Sequence, residues 1–172
     1  MDHLLFEDES MIRDYQAIQK TWFLRGKQRI IRTKAKHRGV KLLATVDYFN
    51  GKMVWQEDEQ YTAETFLSLL QKVLAHYPNG KIVIVLDTAR IHHAKLPQSF
   101  LEEMNGRVEL VFLPPYSPQP NLVEGLWKWL KSDVINRAFC HRVAEIRNSV
   151  QQFMDELMKA LWSIIDRLCV RF

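Results

Sequence analysis

Five consecutive apolar residues, Ile82 to Leu86, run without interruption into the carboxylate of Asp87. A segment with no polar alternation offers no face to water. The run therefore predicts a short strand covered on both sides, as in the parallel part of an α/β sheet. Pro78-Asn79-Gly80 sets off its start, a turn signature that also ends whatever precedes it. An acid directly after such a strand falls at the C-terminal edge of the sheet, where open α/β folds gather their chemistry. Downstream, Val108 to Leu113 gives another apolar strand and PPYSPQP a rigid loop. A helix is then predicted from about Leu122 to Ile135, with a second acid, Glu124, near its start.

The remaining elements can be read around that strand. His3 to Phe6 predicts a strand with Glu7-Asp8-Glu9 at its C-terminal end. Arg25-Gly26 reads as a turn and Gln28 to Thr33 as a short strand. Val40 to Phe49 is a clearer strand, and Asn50-Gly51 then gives a strong hairpin signal that returns Lys52 to Gln56 antiparallel. Thr62 can cap a helix from Ala63 to about Tyr77, whose Phe66, Leu69, Leu70, Val73 and Leu74 share one face. A shorter helix from about Pro97 to Met104 is closed by Asn105-Gly106.

The order β-β-β-α-β-α-β-α predicts an α/β fold of the ribonuclease H-like type over residues 1–138, a mixed sheet with an antiparallel front half. A C-terminal helical extension follows over 139–172. There Val143, Val150, Leu157 and Ile164 repeat every seven residues, with Ile146, Phe153 and Leu168 on the same side. Packing on the sheet is the favoured reading of that face, and a seam to a second copy is the other. A fold on its own assigns no activity.

The bulk properties remove several classes. A chain of 172 residues, 47% hydrophobic, fits one domain with a real core. Cys140 and Cys169 match neither a thiolate metal site nor a disulfide framework. The N-terminus carries acids where a signal peptide needs cations, and no apolar stretch is long enough to span a bilayer. A cytoplasmic protein is expected, nucleoid-associated if bacterial. Its net charge of +4 is unevenly spread. Between Asp14 and Asp47 there is no acid, while Lys20, Arg25, Lys27, Arg29, Arg32, Lys34, Lys36, Arg38 and Lys41 supply nine cations. Such a run is commonly just a solvated face, but here it also suits a phosphate backbone.

Any one acid at a strand end is more often a cap than a ligand. The combination is what points to chemistry. In the predicted sheet the strands ending near Asp8 and Asp87 are neighbours, and Glu124 approaches from the helix after the last strand. Three hard oxygen donors suit Mg²⁺ or Mn²⁺, and a pair of such ions suits in-line displacement at phosphorus. Asp47 is a rival for the first acid but lies on a strand that meets the Asp87 strand less directly. Glu7 and Glu9 should point to the opposite face from Asp8. Trp127, Lys128 and Lys131 follow Glu124 on its own helix face, leaving Leu126, Trp129 and Leu130 for the core. Lys128, Lys131, Arg90, Arg32, Lys34, Lys36 and Arg38 are the candidate DNA contacts. His92 and His93 are accessory candidates, although lone histidines are usually packing or surface residues.

LDTARIHHAK, followed by VELVFLPPYSPQPNLVEGLWKWLK, resembles the DDE endonuclease domain of mariner-like insertion-sequence transposases, the IS six-thirty group. FEDES is similar to the first-acid segment of that family, and Trp22 with Arg25-Gly26 to the element after it. The resemblance spans nearly all of residues 3–135 and retains Asn121 beside Glu124. Thr88 stands where the family usually has Asn, and Pro120 and Leu122 where it has Leu and Pro.

The resemblance implies a catalytic and metal-binding triad of Asp8, Asp87 and Glu124. It also implies metal-dependent strand cleavage at element ends and joining to target DNA, with double-stranded DNA as partner and a homodimer as the working form. A separate N-terminal helix-turn-helix portion is expected, since the chain opens just before the first-acid strand. Sequence-specific binding by this chain alone should then be weak. The alternative is an inactive relic that binds DNA or protein.

Overall fold

A computed structural model of the chain describes residues 1–13, 25–26, 39–114, 121–137, 143–159 and 168. The strand expected at Gln28 to Thr33, the element at Trp22, both cysteines, Pro120 and Ile164 lie outside the described residues, as do Arg32, Lys34, Lys36 and Arg38. The elements are β1 (His3–Arg13), β2 (Gly39–Asp47), β3 (Met53–Asp58), α1 (Ala63–His76), β4 (Ile82–Leu86), α2 (Lys95–Glu103), β5 (Val108–Phe112), α3 (Leu122–Arg137) and α4 (Val143–Lys159). One sheet carries the order β3-β2-β1-β4-β5. β1–β2 and β2–β3 are antiparallel, while β1–β4 and β4–β5 are parallel. This is the mixed ribonuclease H-like arrangement that the element order predicts.

Two apolar layers cover the sheet. On one face Leu5, Ile82, Ile84 and Leu86 meet Phe66, Leu70 and Val73 of α1. On the other, Ile12, Val40, Leu42, Ala44 and Val46 meet α3 and α4. β4 is the expected short strand, but its cover is unequal. Ile82, Ile84 and Leu86 are fully buried, whereas Val83 and Val85 are half-buried. The reason is placement: α3 and α4 lie over β1 and β2, leaving the back of β4 and β5 less protected.

Thr62 caps α1 as its sequence predicts, in a reciprocal pair with Thr65. The β2–β3 hairpin differs from expectation. β2 stops at Asp47 rather than Phe49, and Tyr48 to Gly51 form the turn enclosed by the Asp47 N–H bond to the Lys52 carbonyl. The Asp47 carboxylate causes this, accepting from the Phe49 backbone N–H at 2.8 Å and from Asn50 Nδ2 at 2.9 Å. Only Gly51 of that loop takes a positive φ, 68°.

The heptad face of α4 is buried in the layer over β2, through Ile146, Val150, Phe153, Met154 and Leu157. Arg147 adds a two-pronged ion pair with Glu57 of β3, Nε lying 2.8 Å from both carboxylate oxygens.

Candidate active site

β1 is longer than its apolar residues suggest, and that extension builds the site. Its parallel ladder with β4 ends at Phe6 opposite Val85, but its antiparallel ladder with β2 continues to Arg13 opposite Gly39. Two residues beyond the last β1–β4 pair, the strands carry Asp8 and Asp87. A carboxylate oxygen from each, with one from Glu9, forms a group whose members all lie within 4.8 Å of one another. The Asp87 side chain is 55% exposed, and its Oδ1 accepts from the Ala89 backbone N–H at 2.8 Å, which holds the turn leaving the strand. Asp8 is more enclosed. Burial, then the charges of Glu9, Asp87 and Glu124, raise its carboxyl to about 7, against a single opposing backbone hydrogen bond.

Glu124 reaches this cluster through the start of α3. Asn121 Oδ1 accepts from the Val123 N–H at 3.0 Å, capping the helix, while Asn121 Nδ2 donates to the Glu7 carbonyl of β1 at 2.7 Å. One buried side chain thus starts α3 and fastens it to the acid-bearing strand. Lys128 Nζ lies 3.9 Å from Glu124 one helical turn on, with its side chain 80% exposed. Lys131 is half-buried; burial lowers its pKa and the neighbouring Asp8 charge opposes that shift. Trp127 departs from expectation. It is 3% exposed and belongs to the core with Leu126 and Leu130, so the acid's face of α3 carries two lysines and no tryptophan.

Behind the exposed acids lies a buried polar layer. His92 is fully buried, with Nδ1 3.1 Å from the Asp87 carbonyl oxygen. A carbonyl can only accept, so Nδ1 carries the proton. Nε2 faces Glu7 Oε2 at 3.3 Å and Glu9 Oε1 at 3.4 Å. Glu7 is also fully buried; burial foremost, then Glu9, Asp8 and Asp87, push its carboxyl well above the ordinary range. Alternation does send Glu7 away from Asp8, but into the interior and not into solvent. Glu9 departs from strict alternation, since its carboxylate reaches both the His92 group and the Asp8–Asp87 group.

Over residues 3–147 the chain matches the family model described as DDE superfamily endonuclease. The chain belongs to that family. A curated relative, the "Insertion element IS630 uncharacterized 39 kDa protein" of Shigella sonnei, is 29% identical over 153 residues, covering 88% of this chain and 44% of its own length. Among solved structures, the Mos1 strand transfer complex matches with a TM-score of 0.66 at 16% identity, over 96% of this chain and 52% of the other. The catalytic core domain of HTLV-2 integrase, in complex with magnesium, matches with a TM-score of 0.56 at 15% identity, over 94% and 85%. At such identities these likenesses concern the fold. The DDE chain spans roughly half the length of the insertion-element relative and of the Mos1 transposase, 44% and 52%.

Within this DDE domain, Asp8 and Asp87 come together as their strands predict, and Glu124 lies close enough for its charge to act on Asp8. Asp47 pairs with Leu5 of β1, inside the span that also pairs with β4 and back along β1 from Asp8, and it is buried in its hairpin, 3.6 Å from His3 Nδ1. Of the two histidines, His92 joins the acids, whereas His93 is exposed and stacks on Phe112 at 4.3 Å. Arg90 and Thr88 are exposed on the loop after Asp87, and Leu122 is half-buried against the α3 core. Glu7 and Glu9 were not expected in the site. Two carboxylates at i and i+2 share a strand face, and a histidine five residues past Asp87 is the partner that could have signalled their role.

Proposed function

We propose that this domain is the catalytic unit of a DNA transposase, cleaving DNA strands at element ends and transferring them to target DNA. Membership of the DDE family supports the reaction class. The observation that carries the assignment is the convergence of Asp8 and Asp87, with Glu9 within 4.8 Å and Glu124 near enough to raise the Asp8 carboxyl.

That donor set fits a hard divalent cation. It offers only carboxylate oxygens, and burial first, then their mutual repulsion, raises the Asp8 carboxyl to about 7, a shift that bound positive charge would oppose. Asp8, Asp87 and Glu124 would hold Mg²⁺ or Mn²⁺, as two ions. Bound there, the ions supply Lewis-acid stabilisation for displacement at phosphorus. The chain's own residues do the rest. Lys128 and Lys131 stand beside the acids on α3 to receive backbone phosphates, and Asn121 keeps Glu124 in register with β1. The substrate is double-stranded DNA, element end and target, and the working form is a homodimer acting with a helix-turn-helix portion that selects the ends.

The test is nicking of end-bearing DNA with Mg²⁺ or Mn²⁺, comparing the wild type with Asp87→Ala. Metal-dependent nicking that falls by at least about a hundredfold in the variant supports the reading, a loss of the size seen when a transition-state electrostatic group is removed. Equal nicking by the two proteins overturns it.

A further inference from the structure

The β1–β4 ladder stops at Phe6 and Val85, short of both acids. Past that point β1 is held on its other side, with Glu7 opposite Thr45 and Asp8 opposite Ala44. On the β4 side, Leu86 still accepts from the Leu113 N–H at 2.8 Å, and then the chain turns away. No β1–β4 ladder pair fixes the separation of Asp8 and Asp87.

We infer that His92 supplies the missing connection as a positioning residue: a buried clamp, joining the Asp87 backbone to Glu7 and Glu9 of β1, that sets the spacing of the acid pair for metal. The inference rests on the proposed function for its consequence. Its geometry stands apart from that reading.

The ring is hydrogen-bonded on the β4 side and meets β1 through close contacts at Nε2 that fall short of good hydrogen-bond geometry. Nδ1 donates to the Asp87 carbonyl at 3.1 Å, and Nε2 looks at Glu7 Oε2 and Glu9 Oε1 at 3.3 and 3.4 Å. Its face packs on Phe66, with ring centroids 4.5 Å apart. Its backbone is held as well, the N–H donating to the Ala89 carbonyl at 3.1 Å and the carbonyl accepting from Gln98 Nε2 at 3.1 Å. The ring is thus tied to the turn after β4, and at Nε2 it sets how closely Glu7 and Glu9 of β1 can approach, at 3.3 and 3.4 Å.

Glu7 makes the same point from the other side. Both of its carboxylate oxygens are buried without a hydrogen bond of good geometry among the described residues, and Nε2 of His92 is the polar atom they face. A buried carboxyl group without a well-formed hydrogen bond is costly even in its neutral, protonated form. If this position served packing alone, an apolar side chain would fill it at lower cost. Ligand-orienting contacts one layer behind a metal commonly govern affinity in this way.

Substitution can dissect the clamp. An Asn amide nitrogen can take the place of Nδ1 and keep the Asp87 contact, whereas a Gln amide nitrogen can take the place of Nε2 and keep the contact to β1. The full chain and its His92→Asn, His92→Gln, His92→Phe and Phe66→Leu variants would be titrated with Mn²⁺, free ion being followed by electron paramagnetic resonance. Mg²⁺ dependence of nicking would be measured in parallel, with circular dichroism confirming the fold. The expected result is weaker Mn²⁺ binding by roughly tenfold to a hundredfold in all three His92 variants, the range for contacts behind a ligand. Nicking by the His92 variants should need correspondingly more Mg²⁺ than nicking by the wild type, and Phe66→Leu, which keeps both polar sides of the ring, should lose less than about threefold in Mn²⁺ affinity.

Unchanged Mn²⁺ affinity in the folded His92 variants overturns the clamp. So does an equal loss in Phe66→Leu, which would make the effect one of packing. Should His92→Phe fail to fold, Asn and Gln decide. A wild type that binds Mn²⁺ through Asp87 but cleaves no DNA defeats the functional reading, and the clamp is then judged on binding alone.

Discussion

At Asp8 a carboxyl is held where water stabilises its charge poorly and three other carboxylates oppose it. Its folded pKa of about 7 lies well above its ordinary value of 3.8. The folded state therefore keeps a proton that the unfolded chain gives up, and stability falls as pH rises through that window. Glu7 acts in the same direction, its carboxyl also raised by burial. Metal-free protein should be most resistant to urea near the acid end of this range and lose stability toward pH 7 to 8. Asp8→Asn should flatten the trend while abolishing nicking. Millimolar Mg²⁺ should restore stability at the higher pH to the wild type only. Urea midpoints across pH, with and without Mg²⁺, check all three outcomes. A wild-type midpoint that climbs with pH in the absence of metal would contradict them.

Elements place these residues, and the join between α3 and β1 is the decisive one. Asn121 caps α3 and also satisfies the Glu7 carbonyl. Asn121→Ala should cost about 1 kcal/mol for the lost cap. It should cost a further ~1–3 kcal/mol if that carbonyl stays unsatisfied. Thermal unfolding gives the sum, and nicking should fall more than stability alone explains because Glu124 loses its register. Leu126, fully buried under the same helix, is the comparison: Leu126→Ala should cost about 2–5 kcal/mol through the cavity it leaves.

This scale also shows what was legible in the residues alone. Asp87 and Glu124 were visible because each breaks an apolar pattern, at a strand end and at a helix start. The continuation of β1 past Asp8 was not visible, because pairing with β2 forces it and the local sequence, three acids in a row, argues against a strand. The buried Glu7–Glu9–His92 layer depends on that continuation, so it was hidden too. Trp127 was misassigned for a different reason. On α3 its position is close enough to the acid's face for helical spacing to admit it, but the sheet beneath α3 claims the large ring.

For the whole molecule, affinity and selectivity separate. The site presents Lys128 and Lys131 beside an acidic cluster that metal must neutralise, so DNA binding should require divalent ions and be governed by phosphate contacts. Such contacts release counterions, and each one removed lowers the slope of log affinity against log salt by about 0.9. Lys128→Ala should therefore weaken binding about equally for end-bearing and scrambled duplexes, and flatten the salt dependence by roughly one contact. The wild-type chain should itself prefer end sequence over scrambled sequence by no more than a few-fold. That expectation follows from the proposed division of labour, in which this domain cleaves and a helix-turn-helix portion selects the ends. Fluorescence anisotropy over a range of salt, using an uncleavable duplex with Ca²⁺ in place of Mg²⁺, measures both quantities. Strong preference for the end sequence by this chain alone would move recognition into the catalytic domain. A salt slope unchanged in Lys128→Ala would remove Lys128 from the DNA path and leave the phosphates to Lys131 and to cations elsewhere in the chain.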